Sequence, residues 1–169
     1  LRGSSALLKC SPSVLKDLID YLDNIEDSII WTVDIDSYTS ESNKVIIEVY
    51  NDIAENLKKS IANILEKEID KVNVNVSVTL VTKIMLGVFG CVPAIDQYFY
   101  QTFHEKYAGF GKLGYRELDN LMDFYRKHKP AIDRFQIPVV DFAGNNTNLL
   151  YKKAKLIDMY GFLYGLKKE

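Results

Sequence analysis

Apolar residues recur at helical spacing along most of this chain. Val14, Leu15, Leu18, Ile19 and Leu22 share one face behind Ser11-Pro12-Ser13, a capping side chain followed by a proline whose missing N–H is harmless at a helix start. Asn24 is a plausible stop for that helix. Val45, Ile46, Val49, Ile53, Leu57, Ile61, Ile64 and Leu65 keep a 3.6-residue beat, which predicts a long helix capped by Ser40 or Ser42 and running to about residue 69. Leu118, Leu121, Met122 and Tyr125 mark another over 115–129, with Pro130 interrupting or restarting it and 131–135 as a short continuation. Leu150, Ala154, Ile157 and Met159 predict a last helix over about 147–160, ending at Gly161.

Between these lie segments without that beat. Residues 29–33 (Ile-Ile-Trp-Thr-Val) are too short to decide between a strand and a buried turn of helix. Residues 37–43 and 109–114 read as loops, the second rich in glycine. Val72-Asn73-Val74-Asn75-Val76 alternates like a strand but has no evident partner, so an extended linker is expected. Residues 138–148 read as a loop turning at Gly144-Asn145-Asn146, compatible with a small hairpin.

The segment 78–99 has a different character. Val78, Leu80, Val81, Ile84, Met85, Leu86 and Val88 cover nearly every side of a helix, and all-round apolarity predicts a central, buried one. Gly87 and Gly90 break it, Pro93 restarts the chain, and 94–107 forms the next helix with Ile95, Phe99 and Phe103 inward. The pattern therefore predicts an all-α fold of six or seven helices in one domain, 1–169, organised around this segment. The chain opens at Leu1-Arg2-Gly3-Ser4-Ser5 without Met, so residues 1–10 are expected to be disordered or foreign to the native protein.

Composition narrows the function classes. At 47% hydrophobic and 26% charged residues the balance is that of an ordinary globular protein. A net charge of −2 provides no whole-molecule attraction to nucleic acid or an anionic membrane, so any such binding needs a local patch. Two cysteines, Cys10 and Cys91, cannot complete a four-ligand metal site, and neither a metal nor a cofactor is expected. With no signal peptide and no apolar run near the ~20 residues of a membrane span, a cytoplasmic protein without membrane attachment is expected. The oligomeric state is not legible.

Four features could carry chemistry. Asp96 follows Gly87-Val88-Phe89-Gly90-Cys91-Val92-Pro93, within the first turn of the second helix. A carboxylate there either simply caps and charges the helix or is held ionised at a cleft. Lys83 is a rare charge in the apolar stretch; in a dry setting it would be a base or amine nucleophile, and otherwise its stem packs while the ammonium reaches water. Basic clusters at Arg126-Lys127-His128-Lys129 and at Lys152-Lys153 with Lys155 suit phosphates, though last-turn dipole complementarity also explains the first. Asp158 falls late in the predicted last helix, where the dipole disfavours an anion, so a Lys or Arg partner from the central region is expected.

The run Thr82-Lys83, Gly87, Gly90, Val92, Pro93 and Asp96 resembles the helix–loop–helix segment of the helix-hairpin-helix DNA glycosylases, nearest the 8-oxoguanine glycosylase-like branch. The segment 155–161, a K-x-x-D-x-Y pattern, is similar to a late helix in small proteins of that kind. The resemblance implies an all-α fold with a cleft, a DNA or nucleoside partner, and Asp96 stabilising positive charge on a sugar as its bond to a base breaks. It also implies that Tyr98, Tyr100 and Phe89 stack on an extruded base. The family's L-P-G-V-G hairpin, its lysine nucleophile position and the four cysteines of some members are not matched, so a lyase step is not implied. The other expectation, from a different class, is a non-catalytic protein-interaction or regulatory subunit, as in a mobile-element or defence system.

Overall fold

The computed structural model describes residues 11–65 and 75–168. Among them are six α-helices: α1 (Lys16–Asn24), α2 (Ser40–Leu65), α3 (Val78–Val88), α4 (Gln97–Lys106), α5 (Tyr115–Ile132) and α6 (Lys153–Leu166). Strands β1 (Pro138–Val140) and β2 (Asn146–Leu150) form an antiparallel hairpin between α5 and α6. The all-α expectation and its small hairpin are both seen. No helix among the described residues is long and apolar enough to cross a membrane.

The local chemistry explains most boundaries. Ser11 caps a 3₁₀ turn, Pro12–Leu15, that leads into α1, and Asn24 closes α1 by donating Nδ2–H to the Asp20 carbonyl at 2.8 Å. Residues 29–31 form a 3₁₀ turn rather than a strand. The α2 helix starts at Ser40, with Thr39 and Ser42 exchanging capping hydrogen bonds, and it is described to Leu65. The linker expected at 72–76 lies largely outside the described residues.

Three expectations are corrected. Pro130 does not break α5, which continues to Ile132. The proline lies on the exposed face of the last turn, and around it Lys129 Nζ donates to Asp133 at 2.5 Å and to the Tyr125 hydroxyl at 2.8 Å, and that hydroxyl donates to Asp133. The last helix starts at Lys153, not near 147, because residues 146–150 pair with β1; it then runs past Gly161 to Leu166. The third concerns α3. Val81, Thr82 and Met85 are buried, whereas Lys83, Gly87 and Val88 are exposed. Its excess of apolar residues is thus divided between the core and a second, open face.

The core joins α2 (Ile46, Ile53, Leu57) to α3 (Val81, Met85), the turn at Cys91 and Val92, α4 (Phe99, Phe103), α5 (Leu118, Leu121) and Ile157 of α6. The segment 78–99 is central to it, as expected. Cys91 is fully buried, and the Tyr38 hydroxyl donates to its carbonyl at 2.6 Å. Burial pushes the Cys91 thiol from an ordinary 9.0 up to about 12. The unfolded chain therefore loses this proton first as pH rises. Stability from this site is complete below pH 9.0 and is lost progressively towards about 12. Urea unfolding at stepped alkaline pH should show Cys91→Ala flattening the wild-type slope by up to about 1.4 kcal/mol per pH unit; identical slopes would place the linkage elsewhere.

Candidate functional site

The open face of α3 forms one wall of a groove of about 1000 Å³. Lys83, Leu86, Gly87 and Val88 line that wall; Leu149 and Leu150 of the hairpin and Met159, Phe162 and Leu163 of α6 line the others. Asp96, Lys152, Lys155 and Asp158 complete it. Five of the residues singled out from sequence, Lys83, Asp96, Lys152, Lys155 and Asp158, thus border one groove, although they lie up to 75 positions apart in the chain.

The backbone leading into Asp96 is tied at residues 94 and 95. The α3 helix ends where Gly90, at φ +65°, turns its N–H back to the Met85 carbonyl. After Pro93, the Ala94 N–H donates to Asp158 Oδ1 at 3.0 Å. The Ile95 N–H donates to Thr82 Oγ1 at 2.9 Å, while the Thr79 hydroxyl donates to the Ile95 carbonyl at 2.8 Å. Asp96 is then the N-cap of α4, not a residue inside its first turn, and Oδ1 accepts the Phe99 N–H at 3.0 Å. The helix begins three residues later than periodicity suggested because this carboxylate sets its start. No other hydrogen bond reaches the carboxylate from the described residues, and the side chain is half-buried.

The remaining candidates divide. Lys83 is exposed at the groove edge rather than held in a dry site. Lys152 is structural: its ammonium donates to the carbonyls of Trp31 (2.8 Å), Val33 (3.1 Å) and Phe89 (2.8 Å). Three N–H groups meet three carbonyls, which leaves no donor for a phosphate. Asp158 lies in the first half of α6, since that helix starts and ends later than expected; its partners are Lys155 Nζ at 2.9 Å and the Ala94 N–H, not a central Lys or Arg.

Tyr98 does not line the groove; its ring packs edge-on against Phe162, which does. Arg126, Lys127 and Lys129 lie on the exposed side of α5, away from the groove lining. Lys127 pairs with Asp123 at 2.7 Å, and together with the Tyr107 hydroxyl it holds that carboxyl below the usual carboxylate range. Lys129 belongs to the Asp133 clamp. Among the described residues, no cluster of three or more His, Cys, Asp or Glu is placed to hold a metal ion.

Sequence reasoning missed Thr79 and Thr82 as the side chains that tie down residue 95. Their i, i+3 spacing puts both hydroxyls on one face, a signal that was present in the sequence. It also missed Asp34, whose carboxylate caps α6 from 119 residues upstream by accepting the Lys153 N–H at 2.6 Å and the Ala154 N–H at 2.9 Å. No local pattern announces a cap supplied from so far away. Comparison with protein families, characterised proteins and solved structures finds no match to this chain.

Proposed function

We propose that the groove between α3, the hairpin and α6 binds a nucleoside or an extruded base of a nucleic acid, with Asp96 as the carboxylate at the reacting centre. The observation that carries this reading is the convergence of Lys83, Asp96, Lys155 and Asp158 on a groove whose other walls are apolar. A flat base suits walls of Leu86, Val88, Leu149 and Phe162, and the volume lies within the range of small-molecule sites. The ties on residues 94–96 hold the carboxylate before any ligand arrives, which is the condition for electrostatic stabilisation of a developing charge.

In the reaction this implies, the C1′–N bond breaks and its electron pair leaves with the base. Asp96 steadies the cationic sugar, water oxygen bonds to C1′, and one water proton ends on the departing base. Asp96→Asn should lower base release by about 10²–10³, the loss typical of removing one preorganised electrostatic group. Stability should change little, since Asn caps a helix as well as Asp. The assay is release of free base from nucleosides and from single- and double-stranded oligonucleotides, followed by chromatography. Undiminished release by Asp96→Asn would remove the carboxylate from the mechanism.

A second reading rests on a separate observation. Leu149 and Leu150 of the hairpin and Leu163 of α6 are exposed apolar residues lining the same groove, and Phe142 at the hairpin turn is exposed as well. In that reading the domain is a non-catalytic subunit that takes an apolar segment of a protein partner. Absence of nucleoside or nucleic-acid binding at low salt, with no base release, favours it.

A further inference from the structure

Asp96 borders a second groove, of about 500 Å³, and it is the one residue common to both linings. Beside Val78 and Ile95, the side chains of Thr79, Gln97, Tyr100 and Lys112 contribute to its walls. In the first groove Lys152 and Lys155 already have partners, the carbonyls and Asp158, and Lys83 is exposed at the edge. Lys112 is exposed and makes no hydrogen bond or ion pair with the described residues, and the same holds for Gln97. Tyr100 is 39% exposed, with its ring stacked on His104.

Building on the nucleoside reading, we infer that the second groove takes the sugar–phosphate end of a 5′-phosphorylated nucleoside, with Lys112 as the phosphate cation and Gln97 a sugar contact. The bond to be broken joins base to sugar, so a carboxylate acting on it must have a place for the base on one side and for the sugar on the other. Two grooves meeting at Asp96 offer such places on either side of it. Gln97 and the unpaired Lys112 give the second groove a hydrogen-bonding side chain and a cation, the groups that a sugar–phosphate end requires.

The test is calorimetric titration of the intact protein with adenosine, guanosine, cytidine and uridine, with their 5′-monophosphates, and with 5′-phosphorylated dinucleotides. At least one monophosphate should bind about tenfold more tightly than its nucleoside, equivalent to one good charge-assisted contact. Lys112→Ala should remove most of that difference, chiefly by weakening the monophosphate, and the gain should shrink in high salt. A dinucleotide that binds more tightly still, again through Lys112, would assign the phosphate to a strand rather than a free nucleotide. Nucleoside binding to which phosphate adds nothing, or a Lys112→Ala variant that keeps the full phosphate gain, would overturn the second subsite and leave the first groove's reading standing. If neither nucleoside nor nucleotide binds, the groove reading itself fails and this inference falls with it.

Discussion

Gly161→Ala is expected to destabilise the protein by about 3 kcal/mol, at the upper end of ordinary overpacking, and to lower its melting temperature by roughly 10 °C. The α4–α6 interface is the most extensive between elements among the described residues, and it depends on two glycines one helical turn apart. A Cβ at Gly161 would enter the ring edge of Phe99. That ring is fully buried and stacks on Phe103 with centroids 4.3 Å apart, so it has nowhere to move. The Thr102 hydroxyl also donates to the Gly161 carbonyl at 2.8 Å, fixing the helices at that separation. A Cβ at Gly165 would strike the Tyr98 backbone, and Gly165→Ala should behave similarly. Gly87→Ala supplies the control: its Cβ would meet nothing within 4 Å, and alanine in an exposed helical position should gain up to about 1 kcal/mol. Thermal unfolding by circular dichroism of the three variants decides the matter. Equal melting temperatures for Gly161→Ala and Gly87→Ala would show that α6 does not need its close approach to α4.

Asp34→Ala is expected to cost about 3 kcal/mol, more than an ordinary cap, because it strands buried donors as well as removing a charge-assisted acceptor. The Asp34 carboxylate accepts the N–H groups of Ile35 (2.8 Å), Lys153 (2.6 Å) and Ala154 (2.9 Å) in a site that is 8% exposed. Beside it, Lys153 Nζ pairs with Asp36 at 3.1 Å, and Lys152 gathers the carbonyls of Trp31, Val33 and Phe89. The start of α6, the 3₁₀ turns at residues 29–37 and the end of α3 are thus one polar junction. Asp34→Asn retains an acceptor but not the charge, and should lose about half as much. Hydrogen exchange adds a local readout: the Lys153 and Ala154 amides should exchange faster in Asp34→Ala while the centre of α2 keeps its protection. Uniform acceleration across the molecule would mean that the junction has no local stability of its own.

The candidate site was half legible in the sequence. The turn from Gly90 through Pro93 to Asp96 could be found there because its ends have local conformational roles, a positive φ at Gly90 and a cap at Asp96. The roles of the lysines were not legible. Lys152, Lys155 and Arg126-Lys127-Lys129 look alike as basic clusters, yet a lysine's role depends on which acceptors lie around its ammonium. For Lys152 those are three carbonyls contributed by residues more than sixty positions away.

By itself, the sequence determined that the chain is helical and where most helices lie, because periodicity and capping are local properties. It also marked 78–99 as central. Tertiary packing decided that α3 divides its apolar residues between a core and a groove, since identical side chains on two faces of a helix say nothing about what covers each face. Packing likewise decided that residues 146–150 pair as a strand instead of opening α6, and that Asp96 caps α4 where two grooves meet. Each of these depends on which other segment lies against a helix face, a strand or a side chain, and only the folded chain sets them side by side.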